Sequence, residues 1–190
     1  MLTSKFSQAT ALALELHATQ VRKGTRIPYA SHLLGVASLV LENGGDEEQA
    51  IAGLLHDAIE DVGADAAISI RELFGDRVLR IVEGCTDAVP DAKGEKPDWR
   101  TRKEAYLAHL EGADKDVLLV AASDKLYNAR AILTDLHAIG PAVFDRFTAG
   151  REGTLWYYAE LACIFRRALP GSLSNELART VDAIGAVAGH

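Results

Sequence analysis

The stretch at residues 50–62, AIAGLLHDAIEDV, carries four polar side chains at the end of an otherwise apolar helical segment. His56 and Glu60 are four residues apart. Asp57 and Asp61 have the same spacing, so each pair would share one face of a continuous helix. Burying an imidazole and three carboxylates beside leucine and isoleucine is costly unless a cation compensates. A divalent metal ion would provide that compensation, and a surface helix whose polar stripe faces water is the alternative.

Helical periodicity runs through most of the chain, and no segment shows the sustained two-residue alternation of a half-buried strand. Capping residues mark the starts of several predicted helices: Ser31, Asp46, Asp98 and Asp114. We predict that the first helix covers residues 4–23 and that the helix starting after Asp46 continues through the HD stretch to Gly63. The predicted fold class is all-α, a compact helical bundle, and the length suits a single domain over residues 1–190.

Composition limits the classes of partner that the chain can bind. A net charge of -7 argues against general affinity for nucleic acid or anionic membranes, since both need a basic surface. The longest strongly apolar run, residues 117–122, is too short to span a bilayer, and the N-terminus lacks the pattern of a signal peptide. We therefore expect a cytoplasmic protein with Cys85 and Cys163 as reduced thiols. A small anionic substrate is compatible with this charge if basic side chains gather locally.

Two groups of basic side chains are candidates for such a local gathering. Arg22 and Lys23 lie in a turn around Gly24. Arg102 and Lys103 lie in the first turn of the helix that follows Asp98, where backbone N–H groups also attract anions. Either group would suit a phosphate. The alternative for both is a solvated surface, which is the usual environment of clustered charges.

Two further segments are candidates for contact with a ligand. Residues 84–98, GCTDAVPDAKGEKPD, are rich in glycine, proline and charge, and they predict a long mobile loop over one face of the bundle. Loops of that length in compact domains often act as lids or binding loops. Tyr157 lies in a later aromatic cluster, WYY, which favours a packed core, although a tyrosine near a pocket would contact a ribose or a base.

The long helix predicted after Asp114 has a polar interruption in its apolar stripe. Asp124 and Asn128 fall on the face marked by Val117 and Ala121, which is the face that should be buried. A surface helix with a different rotation is the alternative. If the face is buried, a carboxylate and an amide need partners inside the protein.

Four side chains from separated segments together form a plausible metal-binding set: His32, His56, Asp57 and Asp124. Two imidazoles with two carboxylates suit manganese, iron or zinc better than calcium. This H…HD…D pattern resembles that of the HD-domain metal-dependent phosphohydrolases. The segments VRKGTRIPYASHLLGVA, AGLLHDAIEDV, ELFGDRVLRIVEGCTD and SDKLYNARAI are similar, in order and spacing, to the hydrolase domain of RelA/SpoT-type proteins and of the small alarmone hydrolases. The similarity extends from about residue 13 to residue 160.

The resemblance implies roles for particular residues. The four side chains above would hold a Mn²⁺ ion, and Glu60 and Asp61 would orient or activate the attacking water. Arg22, Lys23 and Asn128 would contact the nucleotide. We add three substrate-binding candidates from the basic helix start and the aromatic cluster: Arg102, Lys103 and Tyr157. The chain departs from the family pattern with Leu33 where proline is common and Ser123 where alanine is frequent, and neither change removes a ligand.

Three functions follow from these expectations. The resemblance implies hydrolysis of guanosine 3′,5′-bis(diphosphate), ppGpp, with release of the 3′-pyrophosphate. The second reading keeps the metal site and changes the substrate to another nucleotide, such as NADPH or a deoxynucleotide, because one fold can host many substrates. The third is a helical module without catalytic activity that binds a nucleotide or a protein partner.

Overall fold

The computed structural model describes residues 1–87 and 97–189, and helices form nearly all of the regular structure in those ranges. The α-helices, numbered in chain order, are α1 Ser4–Leu16, α2 Ala30–Glu42, α3 Glu47–Leu55, α4 Ala58–Val62, α5 Ala64–Phe74, α6 Asp76–Cys85, α7 Trp99–Gly112, α8 Lys115–Ile139, α9 Gly150–Ala168 and α10 Ser172–Ala188. A 3₁₀ helix, Gly140–Arg146, joins α8 to α9. Within the described ranges, the β-type pairing is an isolated bridge between Val21 and Pro28. The all-α prediction is confirmed.

The core consists of two clusters of buried side chains, and helix α8 contributes to both. The first cluster, which includes Val120, packs α1 to α6 together. The second, which includes Leu126, packs α7 to α10 and the 3₁₀ helix together. Burying a leucine or isoleucine side chain contributes roughly 1.5–3 kcal/mol, so these clusters supply most of the driving force for folding. Polar groups on the middle of α8 therefore lie at the seam between two apolar clusters.

Helix α1 is shorter than the sequence pattern predicts, since it ends at Leu16 and not at residue 23. Backbone bonds across the next segment explain the difference. The N–H of Arg22 donates to the carbonyl of Ile27 at 2.8 Å, and the N–H of Tyr29 donates to the carbonyl of Gln20 at 2.9 Å. We call residues 20–29, which these bonds close into a loop, the basic turn. Its pairing satisfies backbone groups that a longer helix would otherwise have used.

The helix predicted from Asp46 to Gly63 is two helices, and the break falls at the HD dipeptide. Its start is as predicted: the Asp46 side chain accepts from the N–H of Gln49, and the Gln49 side chain accepts from the N–H of Asp46 in a capping box. Helix α3 ends at Leu55, and α4 begins at Ala58. His56 and Asp57 therefore connect two short helices, so their side chains are not bound to the spacing of one continuous helix.

Other boundary predictions have mixed outcomes. Asp98 and Asp114 cap α7 and α8 through side-chain bonds to the first turns, as expected. Ser31 does not cap α2, because the helix already includes Ala30 and follows Tyr29 without a side-chain cap. The predicted loop at residues 84–98 starts too early, since α6 continues to Cys85, and residues 88–96 of it lie outside the described residues. Among the helices described, none has the length and apolar character needed to cross a membrane.

A charge network ties the start of α3 to α6 and to the start of α8, and it gives a stability prediction. Arg77 Nε lies 2.9 Å from Asp116 Oδ2, and Arg77 Nη1 lies 2.8 Å from Glu48 Oε2. Hydrogen bonds from Arg77 hold the pKa of Asp116 below its usual value. We expect Asp116→Asn to lower the free energy of unfolding by roughly 1 kcal/mol at pH 7.

The pH dependence of that loss follows from the lowered pKa. A carboxylate with a lowered folded-state pKa stabilises the protein above the unfolded pKa of about 3.9, and this contribution disappears as the pH falls through the folded-state pKa. Urea unfolding at pH 7 and again in this acidic range measures the free energy of unfolding at each pH. The difference between parent and Asp116→Asn should shrink in acid, whereas Asp182→Asn, on the exposed face of α10, should match the parent at both. A difference independent of pH would contradict the ion-pair explanation.

Candidate metal centre and adjoining cavity

Four side chains from three segments meet at the seam between the two core clusters. His32 comes from α2, His56 and Asp57 from the α3–α4 break, and Asp124 from α8. The Nε2 atoms of His32 and His56 lie 3.2 Å apart. Asp124 Oδ1 is 3.3 Å from His32 Nε2 and 3.6 Å from His56 Nε2. Asp57 Oδ2 is 3.0 Å from His56 Nε2 and 3.4 Å from His32 Nε2.

These distances fit the ligand shell of a divalent transition metal. Ligand bonds of about 2.0–2.2 Å place neighbouring ligand atoms roughly 3.0–3.6 Å apart around one ion. His32, His56 and Asp124 each offer an atom within 4.8 Å of the others, and all three are buried. Asp57 is not in that mutual set, but its Oδ2 contacts both imidazoles. His56 Nδ1 bonds to the carbonyl of Gly53 at 2.8 Å, which leaves Nε2 free to face an ion.

The electrostatics of the cluster also favour a bound cation. Burial lowers the pKa of His56, but the charges and hydrogen bonds of Asp57 and Asp124 outweigh it and raise that pKa well above its ordinary value. Burial likewise opposes ionisation of Asp124, yet the charge of Lys125 and bonds from the histidines hold its pKa well below its usual range. Burial also opposes ionisation of Asp57, but the charge of His56 holds its pKa well below its usual range. Both carboxylates therefore stay ionised in a buried site, and a divalent ion would offset their charge.

A cavity of about 540 Å³ adjoins the four side chains. Asp57 and Asp124 form part of its wall. Five described side chains that line it are basic: Arg22, Lys23, Lys103, Lys125 and Arg146. Four lining side chains are tyrosines: Tyr29, Tyr127, Tyr157 and Tyr158. The volume lies in the range of roughly 300–1,000 Å³ that is usual for small-molecule sites. The excess of basic over acidic side chains in the lining suits an anionic ligand.

A family model described as the HD domain matches residues 9–155 of this chain. The chain belongs to the HD domain family. The resemblance that the sequence motifs indicate is thereby confirmed. The four side chains of the metal centre and most of the cavity wall fall inside the matched residues.

Similar sequences narrow the comparison within the HD family. The chain is 37% identical over 128 residues to guanosine-3′,5′-bis(diphosphate) 3′-pyrophosphohydrolase of Aquifex aeolicus, a match that covers 67% of this chain and 18% of that protein. It is 36% identical over 126 residues to the pyrophosphohydrolase MESH1 of Xenopus tropicalis, covering 65% of this chain and 66% of that protein. The chain spans only 18%, 16% and 15% of the length of the first three curated relatives.

Solved structures share the HD fold of this chain. One, described as "A metazoan ortholog of SpoT hydrolyzes ppGpp and plays a role in starvation responses", has a TM-score of 0.79 at 24% identity and covers 97% of this chain and 98% of its own. The lmo0812 structure from Listeria monocytogenes has a TM-score of 0.69 at 28% identity and covers 80% of this chain and 97% of its own. The first similarity, at that identity, concerns the fold alone.

The substrate-binding residues predicted for this HD domain lie in two places. Arg22, Lys23, Asn128, Lys103 and Tyr157 line the cavity. Tyr157 Oη is buried without a hydrogen-bond partner among the described residues, and burial raises the pKa of Tyr157 to about 12, so the hydroxyl keeps a proton to donate.

Arg102, in contrast, is not among the described side chains that line the cavity. Its Nη1 donates to Asp87 Oδ1 at 3.0 Å, and Lys103 bonds to the other carboxylate oxygen of Asp87. The side chain of Asp87 is buried, so this acid neutralises part of the charge at the start of α7. Lys103 therefore lines the cavity while it is paired with Asp87. Arg102 pairs with the same carboxylate but is not one of the described lining residues.

The two candidate catalytic carboxylates on α4 have different surroundings. Glu60 is half-buried, and its charge acts on Lys103 and Tyr157, both of which line the cavity. Asp61 is exposed and accepts a hydrogen bond from Gln20 Nε2 at 2.9 Å, with His17 Nδ1 at 3.9 Å. Glu60 is thus electrostatically coupled to the cavity, whereas Asp61 contacts the end of α1 and the basic turn.

Sequence reasoning missed Lys125 and Tyr29, and it assigned Asn128 to the nucleotide rather than to the centre. Lys125 Nζ lies 2.6 Å from Asp124 Oδ2, and Asn128 Nδ2 donates to Asp124 Oδ1 at 2.5 Å. Arg22 Nη2 in turn donates to Asn128 Oδ1 at 2.6 Å, which links the basic turn to the metal centre. The available signal for Lys125 was its place directly after Asp124 in the DKLYN motif. Tyr29, three residues before His32, was likewise not assigned.

Gly24 gives a prediction for the shape of the cavity. Its φ is +72°, and an added Cβ would lie 2.6 Å from Cδ of Arg146, which crosses the basic turn. We expect Gly24→Ala to cost roughly 1–2 kcal/mol of unfolding free energy because it imposes a left-handed conformation on alanine. It should also displace Arg146 from the cavity wall. Denaturant unfolding measures the first effect, and Gly185→Ala in α10, where a Cβ meets open space, is the matched control. Equal stabilities of Gly24→Ala and the parent would contradict the expected cost of a left-handed conformation at this position.

Proposed function

We propose that this chain is a Mn²⁺-dependent phosphohydrolase that removes the 3′-pyrophosphate from ppGpp and yields GDP and pyrophosphate. The observation that carries the proposal is a cluster of two histidines and two carboxylates, whose carboxylates form part of the wall of a cavity lined by five basic side chains. The names of the Aquifex and Xenopus relatives support the choice of substrate. A mixed nitrogen and oxygen shell supports manganese over calcium.

The distribution of charge explains how an acidic chain would hold a highly anionic nucleotide. The net charge is -7, yet the cavity wall gathers Arg22, Lys23, Lys103, Lys125 and Arg146. Arginine binds phosphate oxygens through paired N–H groups, and lysine acts as a point charge. Three acids also line the cavity, but two of them belong to the metal centre, where a bound ion would offset their charge. Because the five basic side chains then dominate the lining, a ligand with several phosphates is favoured over a neutral one.

The chemistry that we propose divides among residues that line the cavity and Glu60, whose charge acts on two of them. A divalent ion, when bound, lowers the pKa of water and polarises a phosphoryl oxygen. Glu60 accepts the proton that the attacking water loses, and the departing ribose 3′-oxygen takes up a proton to become a hydroxyl. Arg22 and Lys23 neutralise phosphate charge. Asn128 holds Asp124 on one side and Arg22 on the other, so it keeps the basic turn in register with the centre.

The proposal extends to organisation and context. We infer that residues 1–190 act as a single domain, since α8 contributes to both core clusters and connects the two halves. We also infer a cytoplasmic enzyme that lowers alarmone levels in the stringent response, because ppGpp is the substrate proposed for the centre. Fractionation of the cells that make this chain tests its compartment. The ppGpp content of strains with and without the chain tests its effect on alarmone levels.

The direct test is hydrolysis by the purified chain. Incubation with Mn²⁺ and ppGpp should release GDP and pyrophosphate in equal amounts, and prior removal of metal with a chelator should stop the reaction until Mn²⁺ is restored. No GDP from metal-loaded protein would contradict the proposed activity. A protein that retains no stoichiometric transition metal and hydrolyses nothing would instead fit a non-catalytic binding module.

The substrate needs a separate comparison, because the fold alone does not select the base. A panel of ppGpp, NADPH and deoxynucleoside triphosphates, compared by kcat/KM, measures specificity directly. We expect ppGpp to have the highest value. A higher value for another nucleotide would contradict the substrate and leave the metal-dependent hydrolase intact.

A further inference from the structure

Tyr29 bonds to the metal centre although it is not one of the expected ligands. Its hydroxyl donates to Asp57 Oδ2 at 2.6 Å. That same oxygen lies 3.0 Å from His56 Nε2 and 3.4 Å from His32 Nε2, so it is the oxygen that faces the centre. A carboxylate oxygen has more than one lone-pair site, so Oδ2 can accept from Tyr29 and still bind an ion.

Neighbouring rings fix the position of the Tyr29 hydroxyl. The Tyr29 ring stacks on His17 with centroids 5.2 Å apart and an interplanar angle of 27°. It also meets His32 edge to face, with centroids 5.3 Å apart. His17 is buried, and the Tyr29 ring itself packs against the first core cluster. A side chain held in this way offers a donor in a fixed direction, which is how residues beside metal ligands orient them.

Tyr29 is also the last residue of the basic turn. Its backbone N–H closes the turn through the bond to the carbonyl of Gln20, and α2, which carries His32, starts at the next residue. The guanidinium carbon of Arg22 lies 5.7 Å from the centroid of the Tyr29 ring, within the range of a cation–π contact. One side chain therefore contacts a metal ligand through its hydroxyl and a cavity-lining arginine through its ring.

We propose that Tyr29 is a positioning residue that orients Asp57 for metal binding and supports Arg22 for phosphate binding. The first role depends only on the metal centre, and the second rests on the proposed function. The two roles belong to different parts of the side chain, the hydroxyl and the ring. They can therefore be separated by substitution.

Tyr29→Phe removes the hydroxyl and keeps the ring. We expect its Mn²⁺ affinity to fall by about 10–100-fold, the usual effect of losing a hydrogen bond to a metal ligand. Titration of metal-free protein with Mn²⁺ in a calorimeter measures this without reference to activity. At saturating Mn²⁺, KM for ppGpp should stay near the parental value. Tyr29→Leu, which also removes the ring, should lose metal affinity and in addition raise KM.

Tyr127→Phe is the matched control, because the Tyr127 ring also packs on His32, at 5.1 Å, and lies near Arg22, at 5.8 Å. Its Mn²⁺ affinity should equal that of the parent. Parental Mn²⁺ affinity in Tyr29→Phe would overturn the proposal, as would an equal loss in Tyr127→Phe. If the parent binds Mn²⁺ but does not hydrolyse ppGpp, the proposed function fails while the Mn²⁺ titrations still decide the role of the hydroxyl. Thermal unfolding of the metal-free proteins confirms that the isosteric variants are folded.

Discussion

Replacing His56 with alanine is expected to abolish metal retention and turnover together. His56 Nε2 is within 3.6 Å of a ligand atom from each of the other three members of the centre. Its loss therefore removes the ligand atom that neighbours all of the others. Changes to residues that merely bond to metal ligands cost about 10–100-fold in metal affinity, and loss of a direct ligand should exceed that. Asp57→Ala should behave in the same way. Elemental analysis after desalting and a ppGpp hydrolysis assay measure both effects.

The control for this prediction removes a histidine elsewhere. His109 is exposed on α7, and His109→Ala should keep the parental metal content and rate. Stoichiometric metal in either His56→Ala or Asp57→Ala would show that the ion is bound by other residues. Loss of activity with full metal content would instead assign His56 or Asp57 to a step after metal binding.

Three of the four candidate ligand residues stand out in the sequence because they interrupt a local pattern. Asp124 falls in the apolar stripe of α8, and His56 and Asp57 follow the apolar residues of α3. Such interruptions depend only on helical spacing, which a sequence displays directly. The all-α class followed from the same spacing. The metal-binding role itself rested on the combination with His32 and on the family resemblance.

The break at His56 and Asp57 could not be predicted, because the HD dipeptide contains neither glycine nor proline. Both residues keep right-handed helical backbone angles, so the interruption is slight in local terms. Close approach of α2 to α3 at Gly53, where a Cβ would lie 3.3 Å from Cα of Ala37, brings His32 and His56 together. That approach is a tertiary effect, and tertiary effects override local helix preference.

Tyr29 and Lys125 escaped prediction for two different reasons. Tyr29 is 28 residues from Asp57 in sequence, and Arg22 is 106 residues from Asn128. Contacts over such separations depend on how whole helices pack, and side-chain type alone does not reveal them. Lys125 was hidden differently, since a lysine on a helix is usually solvated with its charge in water. In this fold it is mostly buried against Asp124.

Glu60→Gln is expected to keep the metal and lose most of the rate. The substitution preserves the size of the side chain and removes its ability to accept a proton. Glu60 is not one of the four ligand residues, so metal content should equal that of the parent. General base catalysis typically contributes about 10²–10⁴-fold, and we expect kcat to fall within that range. Elemental analysis and the rate of GDP release at saturating Mn²⁺ measure the two quantities.

Comparison with Asp61→Asn distinguishes the two carboxylates of α4. Since Asp61 bonds to Gln20 and is exposed, its loss should act through the position of the basic turn and raise KM more than it lowers kcat. Glu72→Gln removes an exposed glutamate from the neighbouring helix α5 and should leave both constants unchanged. At full metal occupancy, only the residue that accepts the proton should control kcat. If Glu60→Gln keeps the parental kcat and Asp61→Asn loses most of it, the base is Asp61 and not Glu60.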